Sequence, residues 1–169
     1  MTNGQTKIKI TIDNDVMIAT LADNIATEAL TEKLNAGPIT ITMDNYGGFE
    51  KVGALPWSLP SSDTRISTEP GDIMLYTGNN IVIFYGENTW SYTPLGKLET
   101  TSPAEISAFV GTGRKDVTIA LYDFAGSQFI ERDAISSQEV VYSLNGKLVT
   151  QRPLKAGFYI VNDQKVMIK

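Results

Sequence analysis

Apolar and polar positions alternate from the start of the chain: Ile8, Ile10 and Ile12 fall on one side of an extended backbone, Lys7, Lys9 and Thr11 on the other. A period of two marks a half-buried strand. Asp13-Asn14-Asp15 supplies a polar turn, and Val16, Met17, Ile18 and Leu21 return as a second strand, which predicts a hairpin. The period then changes. Ile25, Ala29, Leu30 and Leu34 form a helical stripe behind Asp23 or Asn24, either of which can cap it, and Gly37-Pro38 stops the helix. Alternation resumes with Ile39, Ile41 and Met43 as a third strand.

From Asp44 to Gly71 the pattern is broken by Gly and Pro and reads as a long loop, a feature that is often functional. Ile73 to Tyr76 and Ile81 to Tyr85 flank Thr77-Gly78-Asn79-Asn80 and predict another hairpin. Ile81 to Tyr85 is apolar without a break, so both faces of that strand are expected to be covered, as in a barrel wall under a helix. Ser102, Pro103 and Glu105 form a capping-box pattern ahead of Ile106, Phe109 and Val110, giving a short second helix that ends at Gly111 and Gly113. Val117, Ile119 and Leu121 make a further strand.

Beyond Tyr122 the texture changes. Glu139 to Leu144, Lys147 to Thr150, Phe158 to Val161 and Lys165 to Ile168 are short strand-like pieces, with Asn145-Gly146 and Asn162-Asp163 as turn pairs between them. The expected organisation is a domain over 1–122 and a small β module over 123–169 that buries little core by itself.

Charge is uneven along these parts. Residues 1–120 carry 8 Lys and Arg against 14 Asp and Glu, within a net charge of -5 for the 169 residues. Phosphate backbones are held by clustered Lys and Arg, so nucleic acid and anionic membrane are poor partners for this surface. The chain has no Cys and no His. Thiol nucleophiles, disulfides, Cys/His zinc sites and imidazole bases are excluded together, leaving carboxylate, Lys, Tyr and Ser/Thr chemistry. No apolar run approaches the roughly 18 residues of a membrane span.

The ordered segments Ile8-Lys9-Ile10-Thr11-Ile12, Ala19 to Asn24, Glu50 to Leu59, Gly71 to Tyr76, Val82 to Tyr85 and Gly96-Lys97-Leu98 resemble the bacterial cyclophilin-like proteins over residues 6–121. The resemblance implies a mainly β fold: a closed or nearly closed β-barrel with two helices over its ends. Its members mostly have no assigned activity. The motifs of prolyl isomerases, an Arg beside an apolar proline pocket together with His, are not found here. The segments Val141 to Val149, Gly157 to Val161 and Lys165 to Lys169 resemble the short C-terminal β modules of the Bacteroidetes, including type IX sorting domains. That likeness implies the cell envelope, the periplasm or secretion if a leader has been removed; otherwise a cytoplasmic location is expected.

The candidate chemistry is sparse. Asp13 and Asp15 imitate the start of a calcium loop but lack its later ligands, so a turn is expected. Asp44 and Glu50 flank Tyr46-Gly47-Gly48-Phe49 as a carboxylate pair that could divide acid and base roles. Gly111-Thr112-Gly113-Arg114-Lys115 has the composition of a phosphate loop without its spacing, and follows a helix instead of preceding one. Trp57, Trp90, Tyr92, Phe84 and Tyr85 are candidates for an apolar cleft rimmed by the 44–71 segment, with plain core as the alternative. Arg65 lies in that segment and is the candidate isomerase donor.

The expected function is a non-enzymatic binding module for a small molecule or peptide segment, with Glu50, Trp57, Arg65, Phe84, Tyr85 and Tyr92 as the ligand-binding set. No catalytic residue, metal or cofactor is assigned. A weak prolyl isomerase and an envelope protein whose tail serves assembly or export are the alternatives.

Overall fold

The computed structural model describes residues 5–122, 130–143, 146–150, 154–162 and 164–168. The first hairpin forms as its alternation requires: β1 (Lys7–Ile12) pairs antiparallel with β2 (Asp15–Leu21), and Ile8, Ile10 and Ile12 are buried. Helix α1 (Ile25–Asn35) is capped by Asn24, whose Oδ1 accepts from the Thr27 N–H at 3.0 Å while Thr27 Oγ1 accepts from the Asn24 N–H at 3.2 Å. Two orphan donors are satisfied reciprocally. This cap makes Ile25 the first helical residue, and it is 57% exposed. The buried stripe is instead Ala26, Thr27, Leu30 and Leu34.

The expected long loop from Asp44 to Gly71 is interrupted by strands, which take 13 of its 28 residues. It holds the end of β3 (Ile39–Tyr46), all of β4 (Glu50–Ala54) and β5 (Thr64–Thr68). Its glycines punctuate turns and close approaches and do not mark a loop. Gly47 and Gly48, at φ 65 and 76, turn β3 into β4. Gly53 lies inside β4, where an added Cβ would stand 2.7 Å from the Thr42 carbonyl oxygen of β3.

β6 (Asp72–Tyr76) and β7 (Asn80–Phe84) form the second hairpin. They are followed by β8 (Asn88–Leu98), α2 (Pro103–Val110) and β9 (Lys115–Leu121). Ser102 caps α2 by accepting from the Glu105 N–H at 3.3 Å. The reciprocal half of the expected box is replaced, because the Glu105 carboxylate accepts from Thr100 Oγ1 at 2.7 Å.

Strands β2-β1-β9-β3-β4-β7-β6-β8 neighbour one another in that order, and β8 pairs back to β2 through Ala19↔Leu98 and Leu21↔Gly96. Eight antiparallel strands therefore close a barrel, which leaves no free edge within the ring. Ile8, Ile10, Ile73, Leu75, Ile81, Ile83 and Ile119 fill it, and Leu30 and Leu34 of α1 with Ile106, Phe109 and Val110 of α2 join the same cluster.

The eleven residues of β8 serve two sheets. The later part, Thr93 to Leu98, is barrel wall; Asn88 to Tyr92 pairs with β5. This ribbon carries Ile66 and Tyr92 into a second apolar cluster with Met74, Val82 and Phe84. Both faces of β7 are thus covered as its unbroken apolar run predicts, but the outer cover is a β ribbon and not a helix.

The chain divides into compact units at residues 1–122 and 123–169. In the second, β10 (Ile130–Arg132), β11 (Val141–Ser143), β12 (Gly157–Val161) and β13 (Gln164–Ile168) form a sheet in the order β10-β13-β12-β11. Val141, Val161, Val166 and Ile168 make its small core. Arg132 grips Glu139 with two hydrogen bonds of 3.0 and 3.1 Å. Of the strand expected over Lys147 to Thr150 one bridge forms, Tyr142↔Leu148, beside hydrogen bonds from the Ser143 N–H to the Lys147 carbonyl at 2.8 Å and from the Lys147 N–H to Ser143 Oγ at 3.1 Å. Leu144, Asn145 and Asp163 lie outside the described residues, as does the side chain of Phe158.

Candidate functional site

The β-period of β8 places Asn88, Trp90 and Tyr92 on one face, and the β4–β7 register puts Glu50 opposite Phe84. With Tyr46, Phe49 and Tyr76 these β8 and β4 residues line a cavity of about 340 Å³ on the outside of the barrel. Phe84 lies fully buried beneath it, stacked on Phe49 at 6.5 Å and edge-on to Tyr92 at 5.3 Å. Tyr76 meets Tyr92 at 6.0 Å and Tyr46 meets Phe49 at 6.3 Å, both edge to face. The rim is open: Tyr46 is 65% and Trp90 55% exposed.

Glu50 is the one ionisable carboxylate in this lining. It is only 8% exposed, and its Oε2 has no hydrogen-bond partner among the described residues. Burial pushes its pKa above the ordinary carboxylate range, and a hydrogen bond with Tyr92 draws it part of the way back. The Tyr92 hydroxyl in turn accepts from Asn88 Nδ2 at 2.9 Å. Burial and the neighbouring Glu50 charge both push the Tyr92 pKa upward. The arrangement is a buried carboxylate with one oxygen unpartnered among the described residues, floored and walled by rings.

Of the residues expected to bind, Glu50, Tyr92 and the underlying Phe84 come together. The others do not. Trp57 packs against the barrel core with Lys33 Nζ 6.0 Å from its ring centroid. Arg65 is exposed on β5 opposite Ser91, on the other face of that strand from Ile66, which packs into the outer core. Tyr85 faces the barrel end, where its hydroxyl accepts from Asn45 Nδ2 at 3.0 Å.

That barrel end holds a group not singled out from the sequence. Lys51 is fully buried, and its ammonium donates to Asn45 Oδ1 at 2.5 Å and to the Gly113 carbonyl at 2.6 Å. Burial lowers its pKa; Asp44 and Asp13 oppose that shift, and Lys115 adds to it. Strand alternation explains the contrast with its neighbour, since Glu50 and Lys51 must leave β4 on opposite faces. The Gly111–Lys115 segment turns carbonyl oxygens toward Lys51 and Asn45, and its basic side chains are already paired, Arg114 with Asp44 and Lys115 with Asp13. It is no cradle for phosphate. Asp44 is likewise committed to Arg114, so it does not work with Glu50 as an acid–base pair, and Asp13 turns the first hairpin at φ 55.

Tyr46, Phe49, Tyr76, Asn88 and Trp90 lie outside the expected ligand-binding set, Trp90 being named only among the aromatics of a possible cleft. The signal that finds Asn88 is period two through Asn88, Trp90 and Tyr92, with Thr89 and Ser91 between them. A second cavity, of about 520 Å³, runs along α1 beside Asp23, Glu28 and Glu32. Thr27 in its wall already bonds Asn24 and the Ala22 carbonyl. Among the described residues there is no cluster of three or more potential metal ligands, and no helix is long and apolar enough to cross a membrane.

The sequence matches the model of the cyclophilin-like family over residues 10–122, and the chain belongs to that family. A solution structure of a hypothetical protein from Archaeoglobus fulgidus is similar in fold, with a TM-score of 0.50 and 16% identity, covering 72% of this chain and 100% of the archaeal one. No curated protein matches the chain in sequence.

Proposed function

We propose that the 1–122 unit is a binding module of the cyclophilin-like fold that holds a small molecule or a peptide side chain in the cleft outside the barrel. One observation carries this reading: the buried Glu50 Oε2 has no partner, in a cavity rimmed by the exposed rings of Tyr46 and Trp90. An unmatched buried carboxylate oxygen costs stability, and exposed clustered rings mark interaction surfaces. Glu50, Tyr92, Trp90, Tyr46 and Tyr76 are the proposed contacts.

Prolyl isomerase chemistry has less support, because no Arg lines this cleft and Arg65 lies away from its rings. The test is isotope-labelled full chain titrated with cationic, anionic and neutral fragments, reading the Trp90 indole resonance, beside a proline-isomerisation assay on a short peptide. Trp90 should shift with at least one fragment and respond more weakly in Tyr46→Ala, and the peptide should isomerise at its uncatalysed rate. Acceleration by the wild type that Arg65→Ala removes would overturn the binding-only reading.

For residues 123–169, a separate sheet with its own core supports the likeness to Bacteroidetes C-terminal β modules in assembly or export. The mature mass of the native protein and its presence in an envelope fraction test this; an uncleaved cytoplasmic product would end it.

A further inference from the structure

The Glu50 cleft combines three properties that together select one chemistry. First, its floor is a carboxylate with one oxygen unpartnered, so a ligand that donates a hydrogen bond is matched and one that only accepts is repelled. Second, no Lys or Arg stands in the lining to balance that charge. The next residue, Lys51, leaves on the opposite face and is committed to Asn45 and Gly113. Third, the walls are the rings of Tyr46, Phe49, Tyr76, Trp90 and Tyr92. Aromatic faces attract cations and cover an apolar stem, and they attract more strongly where water is excluded.

We propose that this cleft binds a protonated alkylamine, an ammonium group with at least one N–H on an apolar stem, supplied either by a free amine or by a lysine side chain. The ammonium donates to Glu50 Oε2 beside Tyr92, and the rings of Trp90 and Tyr46 flank the stem. A metal ion is a poor alternative, since one carboxylate among phenol and indole rings is no ligand set for a hard cation. A carboxylate or phosphate would meet like charge at the floor. The surplus of acidic side chains, 14 against 8 over residues 1–120, also draws cations toward this unit.

This inference rests on the binding reading, and the experiment separates their failures. The full chain is titrated with n-butylammonium, tetramethylammonium, n-butanol, n-butyrate and an acetyl-Gly-Lys-Gly-amide peptide, following the Trp90 indole resonance. n-Butylammonium should bind about tenfold more tightly than n-butanol, with tetramethylammonium between them and n-butyrate weakest. Glu50→Gln should weaken n-butylammonium about tenfold and leave n-butanol unchanged, while Tyr46→Ala weakens both. Binding of the lysine peptide on a par with n-butylammonium assigns a peptide side chain; binding of the free amine alone assigns a small molecule, and either result supports the proposal. Equal affinity for n-butanol and n-butylammonium, or no effect of Glu50→Gln, overturns the amine and leaves the cleft reading intact. If no probe moves Trp90 in the folded protein, both are overturned. Tyr46 is 65% exposed and Gln matches Glu in shape, so both variants should fold and unfold in one cooperative thermal transition.

Discussion

Glu50 stands directly across from Phe84 in the β4–β7 ladder, so a carboxylate rises from an apolar outer core with the ring beneath it. Burial of that carboxyl sets a pH dependence. Its folded pKa lies above the ordinary value of 4.5, so between those two values the folded state binds more protons than the unfolded chain. Stability from this group therefore falls as pH rises from 4.5 through the folded pKa, and stays level above it. Glu50→Gln should remove the fall and be about 1 kcal/mol more stable than wild type at neutral pH. Denaturant unfolding of both proteins across the acid range checks this. A difference between them that does not change with pH would contradict it.

Lys51 predicts the opposite slope. Its folded pKa is below the ordinary value of 10.5, so between the two values the unfolded chain binds more protons and stability rises with pH. Lys51→Met should abolish that rise while leaving the Asn45 and Gly113 oxygens without their donor, at about 1 kcal/mol each. Parallel stability curves for the two proteins on the alkaline side would sink the idea.

Barrel closure depends on Gly96. A Cβ there would stand 2.4 Å from the Thr20 carbonyl oxygen and 3.2 Å from the Leu21 Cα, both backbone atoms that cannot swing aside. Gly96→Ala should cost about 2–3 kcal/mol. Hydrogen exchange should show the loss at the β2–β8 seam first; unchanged thermal stability would mean that the seam yields freely.

The two turn glycines separate strain from crowding. Both have positive φ, so alanine at either should cost about 1 kcal/mol. At Gly47 a Cβ would also meet the Phe49 ring at 2.3 Å, whereas at Gly48 nothing lies within 4 Å. Gly47→Ala should therefore weaken n-butylammonium binding in the cleft and Gly48→Ala should not. Equal binding by both variants would remove Phe49 from the rim.

Alternation and capping residues carried the local elements because those depend on near neighbours. Ile8-Ile10-Ile12 and Ser102-Pro103 need little beyond their own backbone geometry to form a strand and a helix start. The 44–71 segment is harder to read for the complementary reason: Gly47 and Gly48 do mark a turn, but Gly53 looks like a loop residue until Met43 and the Thr42 carbonyl of β3 are seen to press on it. The long strand β8 was missed because its Asn88–Tyr92 part is polar on one side and aromatic on the other, a pattern meaningful only once β5 and the barrel wall lie against it.

By itself the sequence determined a mainly β chain, the cyclophilin-like ordering of its segments, and an acidic unit without thiol or imidazole chemistry. Only the tertiary structure decided which side chains share a site. Glu50 and Lys51 are adjacent in the chain, yet one faces an aromatic cleft outside the barrel and the other is sealed at its end. Strand alternation separates such neighbours, and barrel closure brings Glu50 to Tyr92 across 42 positions, a distance no local pattern encodes.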